Sequence, residues 1–382
     1  MNEEKKGTPW VTEALRILAL GLAVVLAAAG TWHSAAAAQA ASGAAVLELA
    51  RGAARTQSLA AGELGQTVIP LGRAVGIKMF ADGVMVVGLS DIQTDGGAVS
   101  PAGTCGLREG DIITHINSTE VSSIEQVREV LQELAGEPMT IRAVRGEKTF
   151  QTTAAAAKCS EDGAYKLGAW IRDSMAGIGT MTFYDPTSGV FGALGHGIND
   201  VDTALLMPLQ SGSIMYAEVA DVKKGTSGEP GELHGAFEVT HDLGELYANT
   251  SSGIFGVLTE EQLVGDAQPV EVASRREVKT GKATILSNIA GDTVEEYEVE
   301  ITHVYPANGA DTRNLMLKVT DQRLLDATGG IVQGMSGSPI LQNGKLVGAV
   351  THVLVNDPTQ GYGILAENML TQAAEEAQAL AS

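Results

Sequence analysis

Between Gly329 and Val350 the chain reads GGIVQGMSGSPILQNGKLVGAV: a serine framed by glycines, and a few residues later an Asn-Gly pair with apolar residues on both sides. Asn343-Gly344 is a hairpin signal, because a two-residue type I′ turn needs positive φ at both central positions. This excludes a nucleophile elbow in which Gly-x-Ser-x-Gly joins a strand to a helix: a strand follows here, and Ser338 stands where the last glycine belongs. Glycine occurs 46 times in 382 residues while aromatic residues make up only 4%. Aliphatic cores and many short strands joined by tight turns follow from that balance.

Gly334 and Gly337 let the backbone around Ser336 turn sharply enough for the Gly334 and Ser336 N–H groups to face one point, the geometry of an oxyanion hole. A serine hydroxyl is a weak nucleophile and needs a base. Of the seven histidines, His196 lies between Gly195 and Gly197 directly after an apolar strand, where a turn exposes the ring. His352, one hairpin after the serine, is the rival base. His33 sits at the edge of the N-terminal apolar run, His115 and His303 read as strand residues, and His234 and His241 are unconstrained by their neighbours. Asp200 and Asp202 are rival acids, but their closeness to His196 suits them to shaping its turn. Ser338 is a poorer nucleophile because Pro339, not glycine, follows it. A glycine-framed serine leading into a hairpin is similar to the Gly-Asp-Ser-Gly-Gly-Pro segment of trypsin-like double-barrel peptidases. Met335 replaces the acid, so that acid's part in zymogen activation is expected to be absent.

The N-terminus carries Lys5, Lys6 and Arg16, then the apolar run Ile17 to Trp32, then small residues with Ala38-Gln39-Ala40 as a cleavage site. Charge, apolar core and small residues make an export signal or an uncleaved anchor over residues 1–40, and both place the rest outside the cytoplasm. Residues 41–66, rich in Ala, Gly and Ser, are expected to be a linker. A net charge of −21 disfavours nucleic acid, whose backbone requires clustered cations. Cys105 and Cys159 match neither a metal cluster nor a disulfide framework, leaving one bridge or two free thiols.

Residues 67–157 combine short apolar runs with one helix signal, the Ser122 and Glu125 capping spacing followed by Ile124, Val127, Leu131 and Leu134 up to Gly136. Two strands flank Arg145-Gly146. GLREGDIITHINSTEV, Gly106 to Val121, makes this module resemble a PDZ domain. The resemblance implies that Val75, Gly76 and Ile77 form the loop whose free amides receive a peptide carboxylate, the peptide adding as a strand beside the helix. Residues 160–382 contain many short strands and one long helical pattern near the end, LAENMLTQAAEEAQALA.

Five longer segments, GAWIRDSMAGIGTMTFYDP, FGALGHGINDVDT, KKGTSGEPGELHG, TGGIVQGMSGSP and VGAVTHVLVNDPTQGYGI, resemble the peptidase domain of the stage IV sporulation protein B (SpoIVB) family. The resemblance implies a mainly β chain: a PDZ domain followed by a trypsin-like double β-barrel peptidase domain. Its implied catalytic residues are His196, Asp321 (rather than Asp326) and Ser336, with Gly334 and Ser336 as oxyanion donors and no metal or organic cofactor. It implies a membrane-associated serine endopeptidase that cleaves itself and, between forespore and mother cell, a regulatory partner of an intramembrane metalloprotease, releasing a late transcription factor. The rival expectations are a membrane-tethered PDZ adaptor with an inert peptidase-like domain, and a general quality-control protease. Ala204 stands where the family commonly has glycine.

Overall fold

The computed structural model describes residues 66–306 and 312–381. The expected leader at 1–40, and all of the linker at 41–66 except Gln66, lie outside the described residues. Among the described residues no helix is long and apolar enough to cross a membrane.

The chain opens with β1 (Thr67–Pro70) and the long β2 (Ala74–Leu89), followed by β3 (Ile112–Ile116), helix α1 (Ile124–Leu134), β4 (Pro138–Arg145) and β5 (Lys148–Ala155). A second long strand, β6 (Ala169–Tyr184), leads to β7 (Val190–Ala193), β8 (Ser211–Lys223), β9 (Glu232–Thr250) and β10 (Gly253–Leu258). The remainder is β11 (Gly281–Ala290), β12 (Thr293–Val304), β13 (Leu315–Val319), α2 (Gln322–Thr328), β14 (Pro339–Gln342), β15 (Lys345–Leu354), β16 (Asp357–Leu365) and α3 (Ala366–Ala381).

Antiparallel pairing runs β6 to β7, β10, β9, β8 and β2, and β2 pairs back with β6, closing a ring around Val75, Ile77, Met181, Phe191, Ile214 and Ile254. A second closed barrel, β11-β12-β13-β16-β15-β14, surrounds Ile285, Val299, Ile301, Leu317, Ile340 and Val350. Closure pairs strand edges that an open sheet would leave bare. The Asn343-Gly344 hairpin forms between β14 and β15 with φ of 54° and 77°.

The smaller module has its own core. Past the ring, β2 pairs with β3, which pairs with β4 and through it β5. Helix α1 packs Val127 and Leu131 against Ile113, Ile116 and Ile141. Its N-cap is Ser123, whose side chain accepts from the Gln126 amide while the Gln126 side chain returns to the cap, so the box lies one residue later than the Ser122 and Glu125 spacing implies. Cys105 and Cys159 are both free thiols.

The expected division into 67–157 and 160–382 differs from the topology. β1 pairs with β6, and the first half of β2 lies in the ring, so the small module is inserted within the first barrel. β2 and β6 each run from one module into the other, and their register shifts between Arg172 and Ser174, where they cross. The sequence reads as separate short apolar runs, VGIKMF and GVMVVGLS, divided at Asp82-Gly83, whereas the structure runs one strand through both.

Candidate active site

The serine turn is built by the chain's own glycines and held by β6. Gly334 and Gly337 have φ of 97° and 99°, and a Cβ on Gly337 would lie 1.9 Å from the Thr180 carbonyl oxygen, so only glycine fits there. The Thr180 amide donates to the Ser336 carbonyl (3.0 Å) and the Thr180 hydroxyl to the Gly334 carbonyl (2.7 Å). Thr182 does the same for the Gly337 carbonyl (2.8 Å). The amides of Gln333, Met335, Gly337 and Ser338 donate to backbone carbonyls, whereas those of Gly334 and Ser336 have no partner among the described residues. That leaves free the two donors expected for an oxyanion. Met335 is fully buried in the second barrel, and Ser338 is buried with its hydroxyl on Ser287, so Ser338 is a packing residue.

His196 follows β7 in the first barrel and Ser336 precedes β14 in the second. They line one cleft of about 280 Å³ together with Ile77, Met175, Ile178 and Gly334. The His196 Nδ1 lies 2.8 Å from the Gly197 carbonyl. A carbonyl only accepts, so Nδ1 carries the proton and Nε2 is left with the lone pair a base needs. Burial pushes the His196 ring below its ordinary pKa, and the Gly197 carbonyl works against that shift, so the ring is neutral near pH 7. The Ser336 hydroxyl donates to the Thr351 carbonyl at 2.7 Å rather than to His196, and a rotation about its Cα–Cβ bond is required before attack.

His352, the rival base, packs its ring 4.9 Å from that of His196 at a 39° tilt. Its Nδ1 is buried without a partner, and burial, then the neighbouring His196 and Arg313, push it down to about 4. It is a second neutral ring against the base. His234 and His241 lie on β9, exposed, and contact Glu232 and Glu260.

The structure does not bring Asp321 to His196. Tyr362 pairs with both Met316 on β13 and His352 on β15, and Asp321 stands five residues past Met316. At 3.3 Å per residue that is roughly 15 Å from the row holding His352. Asp321 instead caps α2, accepting from the Arg323 amide (2.9 Å) and the Glu298 amide (3.2 Å), and pairs with the Arg323 side chain at 2.9 Å. The Arg323 hydrogen bond holds its carboxyl below the ordinary range. Asp200 and Asp202 shape the histidine loop as expected. Asp200 is buried, accepts from Thr203, and with Asp202 grips Arg172 on β6. Burial alone would raise the Asp200 carboxyl; Thr203 and Arg172 outweigh it and hold it low.

The peptide-loop expectation is corrected. Val75, Gly76 and Ile77 are interior residues of β2, paired with β6 on one edge and β8 on the other, so they have no free edge to offer a peptide. Gly76 is required for a different reason: a Cβ there would lie 2.6 Å from the Phe237 ring. Ile77 serves the catalytic cleft instead.

The description SpoIVB peptidase S55 matches residues 163–370, more than half of the chain, and a PDZ domain matches residues 94–145. The chain belongs to the SpoIVB peptidase S55 family. It is a serine endopeptidase with a PDZ domain, and the PDZ match begins after Val75–Ile77. Among solved structures, this S55 peptidase is similar to the PDZ domain of the SdrC-like protein Lmo2051 from Listeria monocytogenes (23% identity over 24% of this chain and 87% of that one, TM-score 0.20). It is also similar to the active form of the Rv3671c protease from M. tuberculosis (13% identity, 54% and 75% coverage, TM-score 0.30) and to the HtrA-type protease AlgW with a decapeptide (12% identity, 58% and 55% coverage, TM-score 0.30). No curated protein matches the chain.

Thr180, Thr182 and Arg172 are functional residues that sequence reasoning missed. The T-x-T spacing in GTMTFY, which puts both threonines on one face of a strand, was the available signal.

Proposed function

We propose that the chain is an exported serine endopeptidase of sporulation signalling, acting by limited cleavage on a regulatory partner of an intramembrane metalloprotease and on itself. The observation carrying its chemistry is one cleft lined by Ser336, His196 and Gly334, with the Gly334 and Ser336 amides unpartnered among the described residues and the His196 Nδ1 held by the Gly197 carbonyl. His196 takes the Ser336 proton as Oγ attacks the peptide carbonyl, the two amides bind the resulting oxyanion, and the same imidazolium returns its proton to the leaving amine. Water then releases the acyl group. The Gly197 carbonyl holds the tautomer, the part a carboxylate plays in a triad.

The family's role and the N-terminal apolar run support an address at the membrane between forespore and mother cell, with self-cleavage in the segment from Ala41 to Gln66. The PDZ domain supports recognition of a protein or peptide partner. Purified Ser336→Ala is expected to lose self-cleavage with an unchanged melting temperature. Self-cleavage that persists would return the peptidase domain to an inert scaffold, and digestion of arbitrary unfolded proteins would replace signalling with quality control.

A further inference from the structure

The cleft beside Ser336 has apolar walls and one gap in them. Its most buried lining residues are Ile77 of β2 and Leu194, which follows β7, 4% and 6% exposed. They meet over Gly179 of β6, where a Cβ would collide with both side chains. Ile77 pairs with Gly177, so these two positions stand side by side on one face of the β2–β6 ladder, with Met175 on the same face two residues along. A Cβ on Gly177 would meet nothing within 4 Å, so the missing side chain leaves open space between its neighbours. Ile198, in the histidine loop, lines the same cleft and is fixed there: its amide donates to Asn249 Oδ1 (2.8 Å) and its carbonyl accepts from Asn249 Nδ2 (2.9 Å).

No residue lining the cleft carries an acidic, lysine or arginine side chain, and its ionisable member, His196, is neutral. The volume, about 280 Å³, is below the roughly 300–1,000 Å³ of sites that enclose a small-molecule ligand, so it suits one side chain of a longer polypeptide. His196 lines the cleft from the same loop as Ile198, and His196 returns the proton to the leaving amine. A side chain lodged between Ile198 and Gly177 therefore belongs to the residue whose nitrogen departs.

We propose that this cleft selects the residue on the leaving side of the scissile bond: an aliphatic side chain of about leucine size enters the space over Gly177 and packs on Ile77, Met175 and Ile198, which makes Gly177 a specificity-determining residue. This deepens the peptidase reading and rests on Ser336 being the nucleophile. A charged side chain would give up water there without gaining a partner, and glycine would leave the apolar walls uncovered. One methylene in an apolar pocket is worth about 10- to 200-fold in kcat/KM, so leucine exceeds glycine by at least about tenfold. Seating the side chain also aims the leaving nitrogen at His196. In the segment from Ala41 to Gln66, the larger aliphatic residues that qualify are Val46, Leu47, Leu49, Leu59 and Leu64.

The test incubates the full chain with a library of peptides from a digested proteome and maps the cuts by mass spectrometry, with Ser336→Ala as the blank. Leu, Ile, Met or Val directly after the cut is expected at least about tenfold over Gly and Asp. No preference after the cut, or an apolar preference only before it, overturns the inference. Gly177 is an interior strand residue, so valine suits its backbone, and Gly177→Val should invert the preference in favour of Gly and Ala. The comparison is a ratio within one preparation and does not depend on how much of the variant folds. Gly177→Ala, a smaller filling, should move the ratio the same way by less and decides the matter if the valine variant does not fold. An unchanged ratio overturns the role of Gly177. The new N-terminus left by self-cleavage is expected at one of the five residues named above, and any other residue of that segment there contradicts the inference. Ser336 left unlabelled by a fluorophosphonate in the parent overturns the peptidase reading as well, whereas labelled Ser336 with indifferent cuts overturns the selection alone.

Discussion

Replacing Asp321 by asparagine and, separately, by alanine distinguishes a helix cap from a triad acid. In the structure its carboxylate makes three contacts: Oδ1 with the Arg323 amide at 2.9 Å, Oδ2 with the Glu298 amide at 3.2 Å, and the Arg323 side chain at 2.9 Å. Asparagine caps helices about as well as aspartate, but its NH2 replaces Oδ2, so Asp321→Asn loses the acceptor of the solvent-accessible Glu298 amide and the ion pair with the exposed Arg323, together about 1–2 kcal/mol. Alanine also loses the cap and strands a donor, costing about 1–3 kcal/mol. α2 leads directly through Gly329 and Gly330 to the serine turn, so the alanine variant should melt lower and lose activity in proportion. The assay is the self-cleavage rate of purified protein together with its thermal melt. Asp321→Asn is expected to stay within about threefold of the parent, whereas loss of a triad carboxylate typically costs about 10⁴-fold. A fall of a thousandfold or more in Asp321→Asn with an unchanged melt would refute the cap assignment and require Asp321 to reach His196 during the reaction.

Thr180→Val keeps the shape of the side chain but removes the donor to the Gly334 carbonyl, and is expected to lower kcat about 5- to 100-fold with little change in KM; an equal fall in stability and activity would instead make Thr180 a packing residue. Acid stability follows from the two neutral histidines. Between pH 6.5 and about 4 the unfolded chain binds a proton at His352 that the folded chain does not, so the His352 contribution to stability is constant above pH 6.5 and falls as the pH drops, by up to roughly 3 kcal/mol. His196, also shifted down, adds to the slope. Urea unfolding from pH 7.5 to 4.5 should show this limb, shallower in His352→Gln; a profile that gains stability on acidification contradicts the burial of neutral rings. Ala204 has φ of 57°, in the left-handed region that favours glycine. Ala204→Gly is therefore expected to raise stability by about 1 kcal/mol in the same assay, and a loss would show that its methyl group packs usefully.

The serine turn, the histidine and the hairpin were legible because each is fixed by neighbours in sequence: glycines that permit positive φ, and an Asn-Gly pair that closes two strands. Asp321 was not, because an aspartate ahead of a short helix is the same local pattern whether it caps that helix or serves a distant ring. The insertion of the PDZ module was hidden for a related reason. β2 and β6 are each continuous through polar residues such as Asp82 and Arg172, and which barrel or module each half joins depends on long-range register. Arg172 and Thr180 gain their roles from that register alone. Val75, Gly76 and Ile77 carry the local look of a carboxylate loop, but both edges of their strand are occupied.

Treatment of the purified protein with a fluorophosphonate, followed by peptide mass spectrometry, tests the cleft between the barrels most directly. As Ser336 Oγ attacks phosphorus its proton passes to His196 and fluoride departs, so a single phosphonyl adduct on Ser336 is predicted, slowed at least a thousandfold in His196→Ala and formed at an ordinary rate in His352→Gln. An adduct on another serine, or full labelling of Ser336 without His196, would contradict the assignment.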